Sequence, residues 1–203
     1  MSTAAANTYL TPEQYLEIEE RSEVRHEYYR GEMFAMAGAT EAHNLIAGNL
    51  FVGLRACFAG RQGKVYQSDM RVRVRETGLY TYPDVVAVCG PAQFDHAKKT
   101  TLINPTAIIE VLSPSTEVYD RTTKLDHYKA LDSIREIALV SQDRVRVDVL
   151  RRFEGRWVWD AISDPGATLR LESLDCDLPI SGIYERVELS APTQLRPIFN
   201  DEI

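Results

Sequence analysis

Two carboxylates interrupt otherwise apolar runs. Asp84 follows Pro83 at the head of Asp-Val-Val-Ala-Val-Cys, and Glu110 sits between Ile109 and Val111 in Thr-Ala-Ile-Ile-Glu-Val-Leu. A charged acid inside a covered strand costs several kcal/mol unless a cation or donor meets it. If the two strands run antiparallel, the start of the first lies beside the end of the second, and the acids become neighbours. At ~4 Å and an effective dielectric of ~20 they repel by ~4 kcal/mol, and a divalent metal reverses that sign. A pair of hard oxygen ligands points to Mg2+ or Mn2+ rather than zinc. The competing reading is a buried acid paired with an arginine or capped by amides, with Asp84 ordering a turn after Pro83. Lys124 weighs toward the metal. It falls on the second turn of the helix after the Glu110 strand, where its side chain can bend back over the strand ends toward both acids. Its ordinary alternative is a solvated pair with Asp120, one helical turn away. Tyr128 lies one turn further along the same face.

Local signals predict the elements that must hold these residues. Thr11-Pro12-Glu13-Gln14 is a capped helix start, and residues 27–37 turn on Gly31 as an aromatic hairpin. Thr40 caps a second helix running to about Ala59, with apolar positions at Leu45, Ile46, Leu50, Leu54 and Phe58. Val65–Gln67 and residues 71–75 read as strands, the latter with valines inward. Residues 84–89 and 106–112 are nearly continuous apolar runs, expected of central strands covered on both faces. A helix from Tyr119 to Leu131, a strand 136–141 and a hairpin 144–162 turning at Gly155 follow. The expected architecture is a single α/β domain over 1–190, a mixed central β-sheet flanked by helices with a β-rich C-terminal extension. Residues 191–203 read as a tail.

The chain has 203 residues, a formal net charge of −7, 44% hydrophobic and 26% charged residues, which are ordinary globular proportions. The acidic balance disfavours a bulk nucleic-acid binder, unless a local basic groove or a metal brings the polyanion in. Arg71, Arg73 and Arg75 form one basic stripe, and Arg144 and Arg146 another. Both read as wet faces of amphipathic strands, able to hold a phosphate backbone only if they border the acids. Cys57, Cys89 and Cys176 are odd in number and not at metal-finger spacing, so they read as small buried hydrophobes without a disulfide or thiolate zinc. No apolar stretch reaches the ~20 residues of a membrane helix. The first twenty residues carry Glu13, Glu17, Glu19 and Glu20 and no basic start, so no secretory signal is readable. A cytoplasmic location is expected.

The set Pro83-Asp84, Glu110-Val111-Leu112-Ser113-Pro114-Ser115-Thr116, Tyr119-Asp120, Lys124 and Tyr128 resembles the Uma-two family of restriction endonucleases, within the PD-(D/E)xK nuclease superfamily. The resemblance extends upstream to Glu27, Gly31-Glu32, Met36, Gly38 and His43, covering roughly residues 10 to 150. It implies a restriction endonuclease-like fold and a metal-dependent endonuclease acting on nucleic acid, DNA first. Asp84, Glu110 and the carbonyl of Val111 would hold Mg2+ or Mn2+. Lys124 would hold the attacking water or meet the charge growing on the phosphate. His43 would be an accessory to catalysis, or a histidine that merely packs at a helix end. Glu27 and Glu32 would add to the metal site or line its entrance, although exposed hairpin acids are common. Two departures stand out. Leu112 occupies the superfamily's lysine position, which implies a lysine migrated to 124. Ile137-Ala138 and Ser141 stand where the family tends to carry an aromatic pair and an aspartate. A homodimer is expected of an enzyme that cuts both strands of a duplex. Two other classes stay open: a nuclease fold that binds or regulates without turnover, and an acid-rich hydrolase of a small phosphorylated substrate.

Overall fold

The computed structural model describes residues 9–189, so the tail expected over 191–203 lies outside the described residues. Helix α1 (Pro12–Arg21) opens on a capping box, with the Thr11 hydroxyl accepting from the Gln14 amide at 3.3 Å and the Gln14 side chain accepting from the Thr11 amide at 2.8 Å. Strands β1 (His26–Tyr29) and β2 (Glu32–Ala35) form the hairpin expected at Gly31. Gly31 has φ +92, and a Cβ there would sit 2.6 Å from the Tyr9 ring, so glycine is required twice over. Thr40 caps α2 (Glu41–Cys57) by accepting from the His43 amide at 3.2 Å, and Ile46, Leu50 and Leu54 form its fully buried stripe.

The chain continues through β3 (Gly63–Gln67), β4 (Arg71–Val74), β5 (Leu79–Thr81), β6 (Val85–Cys89), β7 (Thr101–Leu102) and β8 (Ala107–Leu112). One distorted helix follows, made of α3 (Glu117–Tyr119), a π-helical turn over Asp120–Lys124, and α4 (Leu125–Ala130). Then come β9 (Glu136–Ser141), β10 (Val147–Phe153), β11 (Arg156–Ile162), β12 (Thr168–Leu171), β13 (Cys176–Pro179) and α5 (Ile180–Ile183). The central sheet is mixed, with order β11-β10-β9-β8-β6-β3 and only β8–β9 parallel. Helices α2 and α5 and the β12–β13 hairpin pack on one face, against Val85, Ala87, Ile109, Val111, Ala138 and Val140. On the other face Leu125 and Tyr128 of α4 meet Val86, Val88, Ile108, Leu112, Ile137 and Leu139. Cover on both faces accounts for the nearly continuous apolar runs of β6, β8 and β9.

Three features differ from the sequence-based expectations. Strands β5 and β7 join β1, β2 and β4 in a second sheet, order β2-β1-β5-β4-β7. At three and two residues they are too short for any periodicity to register. The first basic stripe is wet only toward its Arg75 end. Arg71 is buried, donating to the Thr101 hydroxyl at 2.9 Å and the Tyr82 hydroxyl at 3.2 Å, while Arg73 and Arg75 share Asp95 at 2.7 and 2.9 Å. In the second stripe Arg144 is exposed, and Arg146 grips the fully buried Asp148 at 2.8 and 3.0 Å. Of these arginines only Arg71 and Arg73 lie within a strand, since β4 ends at Val74 and the strand expected from 144 begins at Val147, and what covers a face is a long-range fact.

Cysteines depart furthest. Cys57 and Cys176 are disulfide-bonded across 119 residues of sequence, and Cys89 alone is a free, exposed thiol. The packing of α2 against β13 brings two remote positions together, which spacing along the chain does not report. Closing a loop of that length corresponds to nearly 5 kcal/mol in the chain-entropy picture, and ~2–4 kcal/mol is the usual yield. Dithiothreitol is expected to lower the melting midpoint of the wild type to that of Cys57→Ser/Cys176→Ser and to leave the variant unchanged. Equal midpoints with and without reductant in the wild type would remove the bond from the stability account.

Asp148 gives a pH prediction. Burial alone would raise its carboxyl, but Arg146 and Arg121 override that and hold it below the usual carboxylate range. A depressed folded value means stability that is fully present above the unfolded value near ~3.9 and is lost as pH falls through the folded one. Asp148→Asn is therefore expected to flatten the acid limb of the stability profile below about pH 4 and to lower stability at pH 7. Parallel acid limbs in urea melts of both proteins would refute this.

Candidate active site

The antiparallel pairing of β6 with β8 ends at Val85↔Ile109, so Asp84 and Glu110 come opposite one another just past the last paired residues. Strand alternation puts Glu110 on the α4 face with Ile108 and Leu112, and Asp84, one residue before β6, meets it at the strand end. The carboxylate of Asp84 accepts from the Val111 amide at 2.7 Å through Oδ2 and lies 2.9 Å from His43 Nε2 through Oδ1. The Asp84 amide in turn donates to Glu110 Oε2 at 3.4 Å. Val111 thus turns its backbone toward Asp84 at the point where β6 has ended, which leaves that edge of β8 to the acid pair rather than to a strand.

Lys124 reaches the cluster from the π-helical turn. Its Nζ is 3.0 Å from Glu110 Oε1, 3.0 Å from Glu27 Oε1 and 3.6 Å from Asp120 Oδ1. The side chain bends back to Glu110 but makes no ion pair with Asp84 among the described residues, and the pair with Asp120, expected as solvated, is buried and the longest of the three. The Tyr128 hydroxyl donates to Glu110 Oε1 at 2.5 Å. Glu27 accepts from the Thr81 hydroxyl at 2.5 Å and the Tyr119 hydroxyl at 3.3 Å. Glu27, Glu110, Asp120, Lys124 and Tyr128 are all buried, while Asp84 and His43 are partly open to solvent. A π-turn widens the helix locally. Here it sits where Asp120 and Lys124 face the acids while the next residue along, Arg121, reaches Asp148 at 2.7 Å and Glu117 at 2.8 Å.

Three carboxylates meet one lysine, with Asp84 beside Glu110, and the imbalance appears in the protonation chemistry. Burial pushes the Glu110 carboxyl up to about 8; the charges of Asp84 and Asp120 push the same way, and Lys124 and the Tyr128 hydroxyl pull against them. Burial raises Asp120 as well. Burial alone would depress Lys124, but Glu110, Tyr128, Glu27 and Asp120 override it and hold the ammonium well above the ordinary lysine range. If the Asp84 carboxylate is ionised, the ring proton of His43 belongs on Nε2. Its Nδ1 is then a buried acceptor without a partner among the described residues.

Every residue the sequence singled out for catalysis is in or beside this cluster. Glu27, read from sequence as adding to the metal site or lining its entrance, is a buried inner member of the cluster. Its signal was an acid in an aromatic strand, Glu27-Tyr28-Tyr29, the same anomaly that marked Glu110. Glu32 is exposed, and none of the cluster's hydrogen bonds or ion pairs reaches it. Thr81 escaped notice because a hydroxyl in such a run carries no signal of its own, and Tyr119 stood in the motif without a role.

A family model described as "Putative restriction endonuclease", Uma2, matches residues 12–181. The chain belongs to the Uma2 family. Two uncharacterized proteins of Synechocystis sp. are similar to it, one 34% identical over 186 residues, covering 90% of this chain and 95% of that protein. The other is 32% identical over 148 residues, covering 73% and 84%. A crystal structure from Anabaena variabilis, of a protein described as a putative nuclease belonging to DUF820, superposes with a TM-score of 0.69 at 18% identity. It covers 86% of this chain and 97% of that one. At that identity the likeness establishes the shared nuclease-like fold. This Uma2 chain carries Leu112 where the superfamily pattern has lysine, and Leu112 is packed in the core beneath α4. The ammonium found beside Glu110 comes from Lys124 instead, so a lysine is present at the acids although the strand does not supply it.

Among the described residues no three His, Cys, Asp or Glu side chains are gathered closely enough to cage a metal ion by themselves. Mg2+ does not require a cage, since it keeps several waters and takes one or two carboxylates together with substrate phosphates. The donor set of Asp84, Glu110 and the free edge at Val111 fits a hard divalent cation on those terms.

Proposed function

We propose that the protein is a divalent-metal-dependent endonuclease that hydrolyses phosphodiester bonds in nucleic acid, with DNA as the first substrate to test. One observation carries the reading: Asp84 and Glu110 meet at the end of two antiparallel strands, and a buried lysine lies 3.0 Å from the glutamate. Asp84, Glu110 and the Val111 carbonyl would hold Mg2+ or Mn2+, which when bound polarises the scissile phosphate and acidifies a water. The chain's own groups do the rest. Lys124 presents a fixed positive charge for the oxygens on which charge grows, and Glu27 and Asp120 hold that charge in place. Tyr128 orients Glu110. His43 and the Val111 amide fix the Asp84 carboxylate from both of its oxygens.

The proposed location is the cytoplasm, and among the described residues no helix is long and apolar enough to cross a membrane. The Cys57–Cys176 bond is the feature that fits a reducing compartment least. It lies at the opposite end of α2 from His43, roughly 20 Å away at ~1.5 Å per residue.

The test is incubation with plasmid, single-stranded DNA and RNA in Mg2+ or Mn2+, beside Asp84→Asn. Cleavage by the wild type with loss of roughly 10²–10³ in the variant is expected; equal cleavage by both would mean contamination and end the proposal. The second reading is a binding module that keeps the fold without turnover. It is favoured by the closure of Lys124 within carboxylates of its own chain, and it predicts no saturable Mg2+ or Mn2+ site in calorimetry.

A further inference from the structure

Strand β11 is the outer edge of the six-stranded sheet, and among the described residues nothing pairs with its free side. It keeps unbroken register with β10 from Val147↔Ile162 to Phe153↔Arg156. It contains no proline, lysine or bulge to blunt the exposed edge, and its charges are one arginine and one aspartate, Arg156 and Asp160. Val158 and Trp159 are 51% and 58% exposed, and Phe153 beside the turn is 64% exposed.

The turn fixes which backbone groups are free. Glu154 and Gly155 have φ of +48 and +76, a two-residue turn of the I′ kind. Its closing bond makes Phe153 and Arg156 a hydrogen-bonded pair, and bonded and non-bonded pairs alternate from there. Arg156, Val158, Asp160 and Ile162 therefore direct their backbone groups at β10, and Trp157, Trp159 and Ala161 direct theirs outward. The Ala161 amide is already taken by the carboxylate of Asp160 at 2.8 Å. Trp157 and Trp159 are left with both donor and acceptor facing out.

We propose that this edge joins two copies of the chain, antiparallel about a two-fold axis at Val158, into one continuous sheet of twelve strands. In that register Val158 meets its own symmetry mate, and Trp157 pairs with Trp159 through the four outward backbone groups that are free. Arg156 falls opposite Asp160 of the second copy, opposite charges in directly facing positions. Shifting the axis to Trp159 would require the occupied Ala161 amide and would set Asp160 against Val158 and Arg156 against Ile162. Self-complementarity of charge and of free amides thus selects both the occupant and the register. The inference stands on the edge alone and does not depend on the nuclease reading.

The experiment uses the full chain with Cys89→Ser, so that no native thiol competes. Val158→Cys in that background is expected to form a disulfide-linked dimer under mild oxidation, because facing non-bonded residues have Cα atoms about 4.5 Å apart. Asp160→Cys, which faces position 156 and not itself, is expected to cross-link far less. Sedimentation equilibrium of the unmodified chain is expected to show a dimer, and Arg156→Asp to weaken it by roughly tenfold or more. Arg156 is exposed and makes no ion pair among the described residues, so this variant is expected to keep the wild-type circular dichroism spectrum. A monomer at every concentration would overturn the proposal. So would a dimer that cross-links no better through Cys at 158 than at 160, since the contact would then lie on another surface.

Discussion

Glu110→Gln is expected to leave the metal-free protein about as stable as the wild type while removing nucleic-acid cleavage. The wild-type carboxyl is pushed up to about 8, first by burial and then by Asp84 and Asp120, so its charged form is held at a cost when no cation is bound. The amide has the same shape and keeps an oxygen for the Tyr128 hydroxyl. It removes the repulsion with Asp84, and Lys124 retains Glu27 at 3.0 Å and Asp120 at 3.6 Å. The melting midpoint measured in chelator is expected to move by no more than about 1 kcal/mol, or roughly 2–4 °C. Cleavage is expected to fall by roughly 10²–10³ or more, because a ligand and its charge are gone at the reacting phosphate. A large fall in melting temperature would assign Glu110 to the fold, and unchanged cleavage would remove it from the site.

Lys124→Met is expected to lose stability as well as cleavage. Methionine fills the volume of the lysine stem, but Glu27, Glu110 and Asp120 lose their shared cation inside the protein. Removing one partner of a buried ion cluster costs ~3–5 kcal/mol because the remaining charges stay uncompensated. For a chain of this size that corresponds to a drop of roughly 6–20 °C. Adding Glu27→Gln should recover part of the loss by deleting one of the orphaned charges, a non-additivity that neighbours in one network show. Melts of the single and double variants at fixed ionic strength decide it. An unshifted midpoint for Lys124→Met, or a double variant less stable than the single one, would show that the cluster is not held by this lysine. Glu110→Gln thus reports on the chemistry with the fold kept, while Lys124→Met reports on the fold and the chemistry together.

The sequence by itself determined the features whose causes are local. Thr11-Pro12 and Thr40 announced helix starts because a hydroxyl satisfies amides two or three residues away, and Gly31 and Gly155 marked turns because positive φ suits glycine. Asp84 and Glu110 were legible because a charge in a covered strand is anomalous wherever the strand lies, and Lys124 because its helix must leave from the same end of the sheet. Only the tertiary structure decided the contacts between distant segments. Glu27 joined the cluster because β1 pairs with β5, which carries Thr81, a short strand in a second sheet with no periodic signature. Arg71 went inside because Thr101 and Tyr82 cover it, and Cys57 met Cys176 because α2 packs on β13. Periodicity names the face on which a side chain stands. What lies against that face depends on chain closure over tens of residues, and the local pattern carries no record of it.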